Sequence, residues 1–430
     1  MSKFESLVED YATEPVPQDK TYGGLRIGFV VGGIGIALPS LLSGAQVGLS
    51  LGLERSIYAF VVAGLLVTGM AAVSGWVGMR SRLSTYMIIQ FSFGRGGAKL
   101  VNLAFAVTQI GWFAVNAYLF GTAAESVGEN AMGLGLSSAA YVILGGALMT
   151  GATIFGFKAL DKMALFAVPV LFVVLALMIS LTFGQAPYAE LASIAPQGGM
   201  TMTRAITALA GGIIVGVVLL PDLTRYARGP KDVIIAVLIA LGVVEPLIHT
   251  AGAAPALLTG ETEPLLLMQA LGFGAAALFV LIFTSFTTNA VNLYGAGLAL
   301  SAVYPRVPEW RYVAIVGVVG SALALFNVHD YFISFLYAQS MIFSAVVGIY
   351  VVDFFFIRRS NYDLEELARA PAVSWPAFAA WASGVAVAFF AERGDITLTT
   401  APNFDGALAG AIVYGLLAHF ARARIHTGAN

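Results

Sequence analysis

Amide and indole side chains occupy the middle of an otherwise apolar stretch near residues 99–126 of this chain. Gln109, Trp112 and Asn116 are three and four residues apart, so they share one face of a helix. A flat heteroaromatic ligand can stack on the indole of Trp112 while the two amide groups bind its polar edge. The alternative is an interhelical hydrogen-bond cluster around a core tryptophan.

Hydroxyl and amide groups are concentrated in a second apolar stretch, FTSFTTNAVNLYGAG, at Phe283–Gly297. Two adjoining faces of a helix carry these groups, which are Thr284, Thr287 and Thr288 on one face and Ser285, Asn289 and Asn292 on the other. Neutral oxygens of this kind are suitable ligands for a dehydrated Na⁺, especially beside carbonyls freed by a broken helix. The alternative for any single threonine is a hydrogen bond back to its own helix.

Two ionisable residues, Glu245 and His249, stand four positions apart in another apolar stretch and can pair. An ionisable residue inside a membrane span suggests a function, whereas the alternative is a buried pair near the outer end of the helix that water can reach. A membrane enzyme would need an acid–base set or metal ligands facing a cavity, and these two residues have no third partner. We therefore do not expect an enzyme.

The composition indicates that these polar groups belong to a membrane protein. Of the 430 residues, 59% are hydrophobic and 11% are charged, whereas a soluble domain has about 25% charged residues. The mean hydropathy is +0.86, and the absence of cysteine excludes disulfides and thiolate chemistry. We predict an all-α integral membrane protein whose twelve transmembrane helices lie near residues 24–49, 56–79, 99–126, 137–156, 160–184, 202–221, 232–257, 271–301, 311–328, 331–357, 374–391 and 404–421.

The positive charges predict the orientation of these spans. All but three of the 22 Lys and Arg residues fall on the side that holds both termini, and the exceptions are Arg55, Arg204 and Arg393. Because basic residues are retained on the cytoplasmic side, we expect both termini in the cytoplasm and the protein in the bacterial inner membrane.

Glycine-rich segments stand in the first and sixth spans. The first contains GGIGIALPSLLSG at Gly32–Gly44, where glycine weakens a helix and Pro39 removes a backbone donor. The sixth, from Met202, contains AGGIIVG. The two spans are five apart, so the second five-helix unit is inverted, and paired breaks of this kind point to a site near the midplane. We expect helices 1 and 6 to be broken, and close packing of small residues is the alternative.

Short motifs in a fixed order resemble the nucleobase–cation symporters of the cytosine/purine permease family, and in particular its bacterial cytosine permeases. They are FSFG at 91–94, TQIGWF at 108–113, PDLTRY at 221–226, TTN at 287–289 with LYGAGL after it, and VDFFFIRR at 352–359. The resemblance implies a LeuT-like fold of two inverted five-helix repeats, at 24–184 and 202–357, followed by two helices at 374–421. Tails at 1–23 and 422–430 complete this division.

The resemblance also implies Na⁺-coupled uptake and its site residues. Na⁺ ligands fall at Gly33 and Ile36 by backbone and at Thr284, Thr287 and Thr288 by side chain. Substrate positions are Gln109, Trp112 and Asn289, which are retained, together with Ala37, Gly212 and Ile213, where the family's aromatic and hydroxyl groups are absent; Asn116 joins them by its spacing.

The predicted function is Na⁺-coupled uptake of a neutral nucleobase or related planar heterocycle by a monomeric transporter in the lipid bilayer, without nucleic acid as a partner. No charged residue is expected near the ring. Because aromatic and polar groups are missing at the site, we expect the ring to be one other than cytosine. The alternative is an H⁺-coupled permease for a hydroxymethylpyrimidine, hydantoin or allantoin type of ring. A channel is a third class, but it would need a continuous file of polar residues.

Overall fold

The structure of the protein is a computed structural model. It describes residues 14–35, 37–132, 135–273, 275–304, 306–326, 328–369, 371–394, 398–399 and 401–426.

Helices make up most of this described chain, and its β structure is one isolated bridge between Tyr22 and Ala227. Two π-helical segments, Leu238–Val244 and Asp353–Ile357, extend neighbouring α-helices. The α-helices, in chain order from α1 to α18, are Gly24–Gly35, Leu38–Leu51, Leu53–Ser81, Thr85–Phe93, Gly97–Met132, Ser138–Gln185, Tyr188–Ser193, Met202–Val218, Pro221–Thr224, Pro230–Val237, Glu245–Thr259, Pro264–Ala270, Ala275–Val303, Glu309–Ala324, Val328–Val352, Leu364–Arg369, Trp375–Glu392 and Pro402–His426.

Five helical stretches within the described residues are long and apolar enough to cross a membrane. They are Leu53–Ser81, Gly97–Ser126, Pro230–Thr259, Asp330–Ile357 and Pro402–Ala421. Shorter apolar helices lie at Ser138–Ile154, Pro169–Gln185 and Met202–Val218. The number of twelve spans stays a prediction.

The predicted boundary between the fourth and fifth spans does not interrupt the backbone helix. Both spans fall within α6, which has 48 residues and contains Pro169. The intervening sequence, KALDK at 158–162, consists mainly of good helix formers, so a polar connection need not end the helix. Side chains at 155–168 lie outside the described part of the chain.

The first apolar stretch is divided between two helices. Helix α1 ends at Gly35, and α2 begins at Leu38 after Ala37, whose backbone is extended with φ −132° and ψ 156°. Pro39 lies in the first turn of α2, where its missing N–H is not needed for an intrahelical bond. Ile36, between the two helices, lies outside the described residues.

The glycine segment of the sixth span does not interrupt its helix, contrary to our expectation. Helix α8 continues through Gly211 and Gly212 to Val218, and Pro221 then begins the single turn of α9. A Cβ atom at Gly211 would collide with the backbone carbonyl of Leu336 on α15. This glycine therefore serves close helix–helix packing, and the interruption in the chain comes later, at Leu219 and Leu220.

Backbone-to-backbone packing also fixes α11 against the second half of the first span. A Cβ at Gly44 on α2 would collide with the backbone of His249, and one at Gly252 on α11 would collide with that of Leu41. Side chains of α2 and α11 are in the same buried apolar cluster, with Leu41, Ile248 and others at most 4% exposed. The residues around the break in the first span are thus held by close helix contacts.

Candidate functional site

A cavity of about 420 Å³ opens where the first apolar stretch is divided. Elements that are distant in sequence contribute to it: the α1–α2 region, α5, α8, α9, the π-helical segment Leu238–Val244, α11, α13 and α15. Its lining includes Gly35, Ala37, Pro39, Ser40, Ser43, Gln109, Trp112, Asn116, Leu209, Gly212, Ile213, Val215, Glu245, His249, Thr288, Asn292, Tyr294, Phe332 and Leu336.

Trp112 is held in a fixed orientation at this cavity. Its ring meets Phe335 edge-on, with centroids 5.5 Å apart and an interplanar angle of 74°. A similar contact to Phe332 has centroids 6.1 Å apart. The indole nitrogen Nε1 donates to Oε1 of Gln339 on α15 at 3.1 Å. Because the N–H is already bonded, the indole can contribute its aromatic surface to a ligand.

The two amides predicted beside Trp112 also line the cavity. The Asn116 Nδ2 atom donates to the backbone carbonyl of Trp112 at 2.9 Å, one helical turn earlier. Its Oδ1 atom is buried without a hydrogen-bond partner among the described residues. The amide of Gln109 packs over Gly295 of α13, with Nε2 2.9 Å from the position of a Cβ there. A buried acceptor left unpaired is costly, so Asn116 is suited to accept a bond from a ligand.

Asn289 does not line the cavity in this structure. Its Nδ2 atom lies 3.2 Å from Sδ of Met149 and 3.4 Å from the backbone carbonyl of Phe113, and the residue is fully buried. Asn292, one turn later, does line the cavity and donates to Oδ1 of Asn289 at 3.2 Å. The two asparagines therefore form one unit, of which Asn292 is the member that faces the cavity.

The hydroxyl groups of Thr284 and Thr287 on α13 bond within their own helix, which was the alternative for any single threonine. Thr284 donates to the carbonyl of Val280 at 2.7 Å, and Thr287 donates to that of Phe283 at 2.9 Å. Each hydroxyl proton is thus used within the helix, but the oxygen keeps lone pairs that can bind a cation. Thr288 lines the cavity.

The other predicted Na⁺ ligands are backbone atoms of the first span. Gly33 belongs to the helical backbone of α1, whereas Ile36 lies outside the described residues. The structure therefore describes the predicted ligands on α13 and the backbone of Gly33 in the first span, but not Ile36.

Apolar residues of α8 line the cavity. Gly212 and Ile213 both line it, and a Cβ at Gly212 would be 3.9 Å from Cδ2 of Leu336, an ordinary contact. Ala37, in the extended link between α1 and α2, also lines the cavity. The three positions where the resemblance notes missing aromatic and hydroxyl groups thus line the same cavity as Trp112.

An ionisable side chain lines the cavity, which the sequence did not lead us to expect. Glu245 is 4% exposed, and His249 beside it is 5% exposed. Glu245 is also far from both ends of its span, fifteen residues after Pro230 and fourteen before Thr259. The pair is buried, as that interpretation had it, but Glu245 lies midway along the span and both residues line the cavity, so a place near the outer end of the helix is wrong.

Gln339 and Glu245 are the functional candidates that sequence reasoning missed or undervalued. Gln339 is 2% exposed, and its Nε2 atom has no hydrogen-bond partner among the described residues. The available signal was an amide in the middle of an apolar span, in FLYAQSM. Its pairing with Trp112 joins residues 227 positions apart, which spacing along one helix cannot reveal.

Known structures share this arrangement of helices. The inward-facing conformation of Mhp1 matches with a TM-score of 0.82 and 20% identity, covering 95% of this chain and 93% of that one. Mhp1 in a closed conformation with bromovinylhydantoin bound, described as a nucleobase-cation-symport-1 family transporter, matches with a TM-score of 0.80. A Na⁺-coupled sialic acid symporter matches at 0.64 with 13% identity. The chain therefore has the same α-helical, LeuT-like fold as these proteins.

Curated relatives narrow this class. Cytosine permease of Escherichia coli (strain K12) is 28% identical over 378 residues, which is 88% of each chain. Hydantoin permease of Microbacterium maritypicum is 26% identical over 327 residues, covering 69% of this chain and 67% of its own. The family model for permeases for cytosine/purines, uracil, thiamine and allantoin matches residues 15–413. The chain belongs to this family; it is a multi-pass membrane permease and not an enzyme.

Proposed function

We propose that this permease couples the inward movement of Na⁺ to the uptake of a neutral planar nitrogen heterocycle by alternating access. The observation that carries the proposal is the fixed indole of Trp112 beside the unpaired Oδ1 of Asn116, both in one cavity next to the divided first span. A stacking surface with an adjacent acceptor matches a flat ring that carries N–H groups.

The ring lies against Trp112, and amide groups bind its edge. Gln109 and Asn116 contribute from α5, and Asn292, bonded to Asn289, contributes from α13. Ala37, Gly212 and Ile213 form the wall beside the ring, and their small or aliphatic side chains accept a bulkier substituent than cytosine has. The similarity to a hydantoin permease, and to a permease family whose description names allantoin, supports this wider range of ligands.

Na⁺ binds between the divided first span and α13 in this proposal. Carbonyls of Gly33 and Ile36 and hydroxyls of Thr284, Thr287 and Thr288 are its ligands, none of which carries a charge. Binding there would join α13 to the end of α1, so that the ion and the ring favour the same closed state. The Na⁺-coupled symporter of similar fold supports this choice of ion.

The distribution of basic residues supports an inner-membrane monomer with both termini in the cytoplasm. Two inverted repeats at 24–184 and 202–357 would then rock about the cavity, with helices 11 and 12 outside that core. The change from α8 to the single-turn helix α9 supports a second, later interruption in this arrangement.

A thermal-shift screen of the purified protein tests the ligand class. The rings are cytosine, uracil, hypoxanthine, allantoin, hydantoin and hydroxymethylpyrimidine, each in NaCl or in choline chloride of the same ionic strength. A ligand at a hundred times its dissociation constant stabilises by about 2.7 kcal/mol, which is readily measured. We expect at least one ring to stabilise the protein only in Na⁺, and cytosine to be weaker. Stabilisation by zwitterionic amino acids instead would contradict the proposal.

The H⁺-coupled alternative is favoured by one observation, the buried Glu245 that lines the same cavity. If a ring stabilises the protein equally in Na⁺ and choline but only at acid pH, the alternative replaces the Na⁺ proposal.

A further inference from the structure

Glu245, midway along the apolar stretch Pro230–Thr259, stands against the end of α1. A Cβ atom at Gly35, the last residue of α1, would collide with Oε1 of this carboxyl group and lie 3.3 Å from its Cδ. Glu245 is the first residue of α11, directly after the π-helical segment Leu238–Val244. Segments of π-helix often mark functional positions.

The carboxyl group lacks the partners that a buried carboxylate needs. Its Oε2 atom is buried and has no hydrogen-bond partner within the described chain. Nδ1 of His249 is 3.8 Å from Oε2, but this nitrogen donates its proton to the backbone carbonyl of Glu245 at 2.8 Å. The His249 ring is stacked on Phe60, with centroids 5.3 Å apart, so it is not directed at the carboxyl group.

Among the described residues of α1, α2, α3 and α6, the acids and bases lie far along their helices from Glu245. Helix α2 carries none, and the described side chains of α6 contain no Asp, Glu, His, Lys or Arg. On α1, Arg26 is nine residues from Gly35, and on α3, Arg55 is nine residues from Gly64, which packs on Pro246. Nine helical residues correspond to about 14 Å.

The remaining charged and titratable residues are also distant along their helices. Lys231 and Asp232 begin α10, thirteen or more residues before Glu245. Asp222 also lines the cavity, and it accepts a hydrogen bond from the backbone N–H of Thr85 at 2.9 Å. The described base nearest to the carboxyl group is therefore His249, whose Nδ1 atom is 3.8 Å from Oε2.

The electrostatics of the α1 end make a negative charge here unfavourable. A helix C-terminus carries a partial negative charge of about −0.5, from carbonyls without intrahelical partners. The Gly35 carbonyl accepts from Ser40 Oγ at 3.0 Å and from the N–H of Ala37 at 2.9 Å, and Ile36 follows it directly. A carboxylate beside this end would repel it, whereas a protonated carboxyl group removes the repulsion and gains a donor.

We infer that Glu245 is a proton-binding site at the break in the first span, distinct from the neutral oxygens of Gly33, Ile36 and α13 proposed to bind Na⁺. The carboxylate takes one proton from water in the cavity and returns it to that water, so no other reactant is needed. The buried Oε2 atom, which has no partner among the described residues, can hold this proton without a further ligand. The inference goes beyond the proposed function and does not depend on it.

Infrared difference spectroscopy of the purified protein, without any ring ligand, tests the inference. The probe is the proton itself, in a titration from mildly acidic to alkaline buffer in H₂O and D₂O. We expect a protonated-carboxyl band that persists at neutral pH, shifts in D₂O and is lost in Glu245→Gln. The matched control Glu261→Gln removes an exposed carboxyl group at the end of the same helical stretch and should leave this band unchanged.

Two further variants keep the test decisive. If Glu245→Gln does not fold, Glu245→Asp retains a carboxyl group in a different environment, and the band should shift. His249→Gln should keep the band. A band that is absent in the wild type, or unchanged in both Glu245 variants, overturns the inference. A band that disappears when NaCl replaces choline chloride also overturns it, because Glu245 would then be a Na⁺ ligand.

Discussion

At the scale of single residues, Trp112 makes the strongest prediction. Trp112→Ala should lower the affinity for the best ring by more than about tenfold, because an aromatic stacking surface contributes on the order of 1 kcal/mol beyond its buried area. Equilibrium binding at saturating Na⁺ measures this loss. Trp76→Ala is the matched control, since this tryptophan is 40% exposed on α3 and should bind normally. Equal affinity in both variants would refute the stacking role.

Thr288 makes a separate prediction for the ion. Thr288→Ala should raise the Na⁺ concentration needed for half-maximal stimulation of ring binding by roughly tenfold, as expected for a lost bond to a charged group. Affinity for the ring at saturating Na⁺ should change little. Thr182→Ala is the control, because this buried threonine on α6 donates to its own helix at 2.7 Å and lies outside the cavity. A Thr288→Ala protein with wild-type Na⁺ dependence would exclude this ligand.

Residue spacing along one helix located only part of the site, because the rest depends on contacts between helices. Gln109, Trp112 and Asn116 were found because one helix presents them on one face. Spacing could not decide which asparagine of α13 meets the cavity, because Asn289 and Asn292 share a face and only the packing of α13 on α5 separates them. Gln339, which bonds Trp112, and Glu245, which lines the cavity, come from other helices, so their approach to the site depends on tertiary structure.

At the scale of helices, the adjacent glycines of α8 provide a matched pair. A Cβ at Gly211 would collide with the carbonyl of Leu336, whereas at Gly212 the nearest atom is 3.9 Å away. Gly211→Ala should therefore destabilise by about 1–3 kcal/mol, as overpacking does. Gly212→Ala should be neutral or slightly stabilising, because alanine favours a helix over glycine by about 1 kcal/mol. Thermal unfolding in detergent measures both; a similar loss in the two variants would contradict the packing described for α8.

The first and sixth spans show what a glycine pattern can predict. Glycine segments occur in both, but α8 continues through its glycines, and the first stretch is divided near Pro39. Glycine costs a helix about 1 kcal/mol and proline about 3, so tertiary packing overrides the first more readily than the second. Proline also follows the end of α8, at Pro221. Proline alone does not decide a break either, because α6 continues through Pro169 and α11 through Pro255.

At the scale of the whole molecule, a buried ion pair joins distant parts of the chain. Asp353 receives hydrogen bonds from Arg358 Nε at 3.2 Å, from Tyr362 at 3.2 Å and from Tyr414 on α18 at 2.7 Å. Arg358 also donates to the carbonyl of Phe91 on α4 at 3.1 Å. The resemblance had drawn attention to this segment only as a motif, and its role as a junction depends on contacts between helices.

Asp353→Asn tests that junction. Breaking a buried pair by removing one charge costs about 3–5 kcal/mol, so the melting temperature should fall clearly. The control is Asp363→Asn, an exposed position where asparagine keeps an oxygen for the backbone N–H of Glu365. Ring affinity should be retained in folded Asp353→Asn protein, because Asp353 is outside the cavity lining. Unchanged stability would mean that the network does not hold these helices together.

The central claim, that Na⁺ drives ring uptake, is tested most directly in proteoliposomes of the purified protein. The labelled ring that gives the largest Na⁺-dependent thermal shift is supplied outside, with Na⁺ and pH gradients imposed separately. The account predicts accumulation above equilibrium under an inward Na⁺ gradient at equal pH, and no accumulation when Na⁺ is equal on both sides. Accumulation that follows an imposed pH gradient and ignores the Na⁺ gradient would contradict it.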